Sequence, residues 1–218
     1  MLRKIFICVL ALTSFLIAAC GEEKVVGTPD KAILAYCETV TMGESPNLTA
    51  AGFTEDDNKN LRKMILRIFE KSFTEAVPLS DESAETLAKT FYENNKAKLT
   101  FQTKIKTEDK ELPVVELTAT PLDISKANSA LENNNEIFAL LGMVGKLRSD
   151  GATDEQLKEN SEVQALAVTA FGKYIEGIPV QSEKVFEVPC KKVTAPNGNA
   201  HWVPDDVNAL MDFLMGKK

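Results

Sequence analysis

The feature that most constrains this chain is a change of hydrophobic period near its middle. Leu99, Phe101, Thr103 and Ile105 alternate with Thr100, Gln102, Lys104 and Lys106, and Val115, Leu117 and Ala119 alternate likewise. Side chains of a strand point to opposite faces in turn, so each run describes a half-buried strand. The polar Glu108-Asp109-Lys110 between them makes the pair an antiparallel hairpin. On both sides of it the spacing returns to that of helices. Helices and hairpins in separate blocks predict an α+β fold rather than an alternating parallel one.

Before the hairpin three helices are expected. Thr28-Pro29 reads as N-cap and first position of one, with Ile33, Tyr36, Cys37 and Val40 on its buried face. Thr54 with Asp57 makes a capping-box pattern ahead of Leu61, Ile65, Ile68, Phe69 and Phe73. Ser80 or Asp81 caps the third, with Leu87, Ala88 and Phe91 inward. After the hairpin, residues 123–148 read as one helix with Ile124, Ala127, Leu131, Phe138, Leu141 and Leu147 on its stripe, interrupted by Asn133-Asn134-Asn135. Thr153 with Gln156 opens another, carrying Leu166, Ala170, Phe171, Tyr174 and Ile178. A second hairpin follows from Val180 to Val203 through Pro196-Asn197-Gly198, and Pro204-Asp205 opens a last helix. The expected order is ααα-ββ-αα-ββ-α.

The first twenty residues are of another kind. Arg3 and Lys4 precede an uncharged stretch from Ile5 to Ile17, and Ala18-Ala19 stand before Cys20. That is the order of a secretory signal. The apolar stretch is about 13 residues, short of the roughly 20 needed to span hydrocarbon. Ile17-Ala18-Ala19-Cys20 resembles the lipobox of bacterial lipoproteins. The resemblance implies diacylglyceryl on the Cys20 thiol, cleavage before Cys20, and acylation of the freed amine, giving a firm anchor. Three segments are expected: a signal peptide at 1–19, a lipidated cysteine and flexible tether at 20–28, and a single domain at 29–218. Gly21, in place of the Asp that retains diderm lipoproteins, is compatible with the outer membrane. In a monoderm cell the place would be the outer leaflet of the plasma membrane.

Composition narrows the partners. The formal charge is −7, and loss of Arg3 and Lys4 with the signal leaves the mature chain more acidic still. Nucleic-acid binding through a basic patch is not expected, and the membrane is reached through lipid. Of four cysteines, Cys8 leaves with the signal and Cys20 takes lipid. Cys37 and Cys190 remain in an oxidising compartment. They read either as a disulfide closing a loop of about 150 residues, stabilising by roughly 4–5 kcal/mol, or as two buried thiols.

Catalytic signals are few. His201 is the one histidine, so any triad or Cys-His site would have to use it. No G-x-S-x-G, H-E-x-x-H, P-loop or dinucleotide fingerprint occurs. No metal site, cofactor or enzymatic activity is expected. Met64, Met143, Met211 and Met215 read as core filling or as the lining of an apolar pocket, and Gly142 and Gly145 as close packing within a helix. His201, beside Trp202 in the last hairpin, reads as a surface or packing residue and Trp202 as a packing anchor; the other reading makes the two candidate contacts for a ligand or partner.

The closing stretch, Val188-Pro189-Cys190-Lys191-Lys192-Val193, then Asn197-Gly198, Trp202-Val203-Pro204-Asp205 and Phe213-Leu214, resembles the final hairpin of small lipoproteins of unknown function. Those have the cystatin-like fold typified by nuclear transport factor 2. The resemblance implies helices packed on a curved antiparallel sheet and no particular activity. The resulting expectation is a non-enzymatic envelope lipoprotein that binds a small ligand or a protein partner. The alternatives are a structural or assembly role, or a hydrolase whose acidic residues the sequence does not identify.

Overall fold

The computed structural model describes residues 24–74, 77–131, 134–195 and 198–217. Within them a four-stranded antiparallel sheet is covered on one face by helices. The helices are α1 (Pro29–Met42), α2 (Glu55–Thr74), α3 (Asp81–Lys98), α4 (Ile124–Leu131), α5 (Asn135–Ser149), α6 (Asp154–Glu159), α7 (Ser161–Glu176) and α8 (Val207–Leu214). The antiparallel strands are β2 (Phe101–Thr107), β3 (Val114–Ala119), β4 (Lys184–Thr194) and β5 (Asn199–Pro204). A two-residue strand, β1 (Lys24–Val25), joins β5 in parallel, giving the order β1-β5-β4-β3-β2.

Both hairpins stand where the alternation puts them. Leu117 pairs with Thr103 and with Phe186, and the inward residues Val115, Leu117 and Ala119 are buried. The outer face carries Lys104, ion-paired to Glu116, and Lys106, ion-paired to Glu187. α1 lies against β2, β3 and β5, with α2 and α3 behind it. α3 in turn holds α7, and α7 holds α5 and α6. α8 closes the same face, where Phe213 stacks on Phe186 with ring centroids 4.8 Å apart.

The caps follow the sequence. Thr54 and Asp57 exchange hydrogen bonds: the Thr54 amide donates to Asp57 Oδ2 at 2.7 Å, and the Asp57 amide to Thr54 Oγ1 at 3.2 Å. Thr153 and Gln156 form a complete capping box. Ser80 caps α3 by accepting from the Ser83 amide. α1 ends at Gly43, whose φ of 79° is left-handed, and a Cβ there would lie 2.7 Å from the Tyr92 ring. Glycine meets both demands.

The expected order is corrected in three places. The helix read over 123–148 is two helices, α4 and α5, because Asn134 accepts from the Ile137 amide at 3.0 Å and starts a new helix. The helix opened by Thr153 is also two, α6 and α7. Asn160 ends the first and caps the second, its Oδ1 accepting from the Glu162 and Val163 amides. The block between hairpins is therefore four helices. Third, the span 20–28 is not all tether. Lys24 and Val25 are the strand β1, and the Val26 amide donates to Ala200 O at 2.8 Å. The edge of β5 offers unpaired backbone groups that this segment satisfies.

Leu117 sits at the centre of the sheet with no exposed surface. Leu117→Ala should destabilise the domain by about 2–5 kcal/mol, read as a lowered denaturation midpoint at unchanged slope in urea.

Candidate functional site

The residues singled out by the sequence do not converge. Cys20 lies outside the described residues. Cys37 sits on α1 and Cys190 on β4, both fully buried and both free thiols, so the disulfide reading is corrected to two separate core cysteines. Cys37 points from the inward face of α1 into the main cluster. Cys190 Sγ donates to Val188 O at 3.3 Å on its own strand. Burial pushes the Cys190 thiol up to about 12, helped by the nearby Asp205 and opposed by a bond to the Val115 backbone. Burial, with Glu38 beside it, raises the Cys37 thiol further. Neither supplies a thiolate near neutral pH.

His201 and Trp202 are also interior. Ala200, His201 and Trp202 are buried in succession, which on a strand means that both faces are covered there. Trp202 turns to the helix side. Lys192 lies 5.4 Å from its ring centroid and pairs with Glu111 of the β2–β3 turn at 3.0 Å. His201 turns to the other side, beneath the segment that precedes α2. Its ring centroid is 4.6 Å from that of Phe53, and a Cβ on Gly52, whose φ is 95°, would lie 2.8 Å from His201 Cβ. The two residues are 3% and 6% exposed. As surface contacts for a ligand or partner they are corrected to packing residues.

The His201 ring still has chemistry of its own. Its Nδ1 is buried without a hydrogen-bond partner among the described residues. Burial lowers its pKa from the ordinary 6.5, and the charge of Asp57 opposes this only in part. Asp57 is already occupied in the cap with Thr54. Burial thus favours the neutral imidazole, and the nearby Asp57 carboxylate and Thr54 hydroxyl are bonded to each other in the cap.

Two surface features were not expected. α5 exposes Phe138 (55%) and Leu141 (39%). Both were read as inward, but the new start at Asn134 turns Leu140 and Val144 to the core instead. Gly142 and Gly145 have nothing within 4 Å of a would-be Cβ, so the close-packing reading fails for both. A surface depression of about 340 Å³ lies where α5 meets α6, between Leu147, Asp150, Gln156 and Asn160. It is away from the sheet. The methionines 64, 143, 211 and 215 pack on the core. Among the described residues no three His, Cys, Asp or Glu side chains are grouped to hold a metal ion. Among the same residues no helix is long and apolar enough to cross a membrane.

Comparison with known proteins adds fold and family. The model of a family described as a domain of unknown function, DUF5105, matches residues 19–174. A crystal structure of a "putative lipoprotein", ycdA, from Bacillus subtilis is similar with a TM-score of 0.55 at 19% identity. The likeness covers 86% of this chain and 54% of that one, so the chain spans about half of that protein's length. No curated protein matches.

Two outcomes follow. Unfolded in guanidinium without reductant, the chain should show Cys37 and Cys190 both alkylated by peptide mass, and neither while folded; their joint resistance to alkylation in the unfolded chain would establish a disulfide. For His201 the folded pKa lies below the unfolded one, so the unfolded chain binds the extra proton as pH falls below 6.5. Stability should be level above that pH and decline below it, and His201→Gln should flatten this part of the curve in urea titrations run from pH 7 to pH 5.

Proposed function

Because the chain belongs to the DUF5105 family, a domain of unknown function, we propose from its own residues that it is an extracytoplasmic lipoprotein, held on a membrane by lipid on Cys20, whose domain engages a partner without catalysis. The observation that carries this is the run Ile17-Ala18-Ala19-Cys20 at the end of a short uncharged stretch. The wording "putative lipoprotein" attached to the Bacillus subtilis neighbour supports it. The strand β1 at Lys24–Val25 stands four residues after Cys20. The membrane is the outer leaflet of the plasma membrane, or the outer membrane in a diderm cell.

The same proposal includes the cystatin-like relationship. An antiparallel sheet with one helix, α1, laid across three of its strands supports that reading. Between a small ligand and a protein as the thing bound, the exposed Phe138 and Leu141 favour a protein. The depression at α5 and α6 is open, unlike the concave sites that bury most of a small molecule.

Cys20→Ser tests the anchor. The wild-type chain should incorporate radioactive palmitate and sediment with membranes, and the variant should lose the label and keep residues 1–19. A wild-type chain without label would overturn the proposal.

A further inference from the structure

The strand β1 fixes where a lipid anchor can sit relative to the domain. It pairs in parallel with β5, Lys24 opposite Asn199 and Val25 opposite Ala200. The chain before Lys24 therefore departs at the end where β5 begins, beside the β4–β5 turn. From Lys24 back to Cys20 an extended chain spans at most about 14 Å. A tether of that length, starting from a paired strand, holds this end of the sheet near the bilayer. The span 20–28, if free throughout, would have allowed roughly twice the reach.

The same end carries apolar surface. β4 runs toward it, and the β2–β3 turn lies there too, since the Cys190 amide donates to Pro113 O at 2.8 Å and Lys192 reaches Glu111. Leu112 in that turn is 58% exposed, Val193 on β4 is 40% exposed and Val25 on β1 is 37% exposed. Val193 stands opposite His201 on the outer face and Val25 opposite Ala200 on the helix face, one strand residue apart in level, about 3.3 Å, so the two flank this end of the sheet from either side. Charges at this end are mixed: Glu108, Asp109, Lys110 and Glu111 lie in one turn, and Lys192 is already paired to Glu111. The end suits contact with lipid through apolar side chains rather than attraction to a charged surface.

We propose that the end of the sheet where β4 ends, β5 begins and the β2–β3 turn lies rests on the bilayer, with Leu112, Val193 and Val25 as its contacts to lipid. This rests on lipidation at Cys20. The part of the sheet around Val185, at the other end of β4, then stands away from the membrane.

The test uses full-length protein purified from membranes and reconstituted in phosphatidylcholine vesicles containing doxyl-labelled phosphatidylcholine. An environment-sensitive fluorophore is placed in turn at Leu112→Cys and Val185→Cys. Both positions are exposed, so the fold is not at risk, and Cys37 and Cys190 are buried and escape labelling. Val185 is about 26 Å along β4 from Val193, beyond the range of contact quenching. Position 112 should be quenched several-fold more than 185. Equal quenching at both, or the stronger at 185, overturns the orientation. Intact mass of the same preparation separates the two ideas. Diacylglyceryl on Cys20 without preference for position 112 removes the orientation alone, whereas an unlipidated chain removes the anchor and the orientation with it.

Discussion

Burial of α1 on two sides is the constraint on which the rest of the molecule depends. Its residues Ala32, Ile33, Ala35, Tyr36, Cys37, Thr39, Val40 and Thr41 are all buried, far more than one stripe of a helix. The sheet takes one side, and α2 and α3 take the other. A helix so placed must be thin where neighbours approach and must leave no polar atom unpaired. Alanine at 32 and 35 meets the first need. Thr39 and Thr41 meet the second within the helix itself, donating to Ala35 O at 2.8 Å and Cys37 O at 2.7 Å. Their methyl groups then pack as valines would.

The helical layer around α1 is cross-tied by two buried amides. Asn95 on α3 donates to Thr41 O at 2.9 Å, at the end of α1. Gln164 on α7 accepts from the Ser80 amide and donates to Pro78 O and Leu157 O, each at 2.9 Å. That one side chain joins the start of α3, the end of α6 and α7. Such bonds contribute modestly when made, but removing one partner strands the other in the interior at a cost of about 1–3 kcal/mol. They specify which helix ends meet, something the apolar contacts alone leave loosely defined.

These particulars explain what could be read from sequence. The strands were legible because period two survives wherever one face is wet, as on β2 and β3. The capping boxes at Thr54 and Thr153 were legible because their chemistry is local. The break at Asn160 was not, since an asparagine within a helical run has no local mark that it caps rather than continues. The break at Asn134 lay in a visible asparagine run, but its effect on phase did not show. A cap resets which residues face inward, and Phe138 and Leu141 were exchanged for Leu140 and Val144. The second buried side of α1 was hidden because alanine and threonine do not register in an apolar stripe. Packing at Trp202 could be read from its place at the end of a strand before a capped helix, but the burial of His201 on the other face could not, because there chain distant in sequence closes over it.

That closure explains why β1 exists at all. A sheet needs its edges protected, or another strand will pair with them. The β2 edge uses charge, with Lys104 and Lys106 tied to Glu116 and Glu187. The β5 edge is apolar, with Ala200, His201 and Trp202 in succession, so charge would not serve there. It is covered by backbone instead. β1 pairs with Asn199 and Ala200, and Gly27 then turns the chain with φ 74° against Ala50 and Ala51. Gly52 and Phe53 of the segment that follows them close on His201. The N-terminal strand and this segment thus need each other. Pulling β1 away would uncover the imidazole and the start of β5 together. A pull on β1 therefore reaches the core through β5, and β1 cannot leave without giving up that edge.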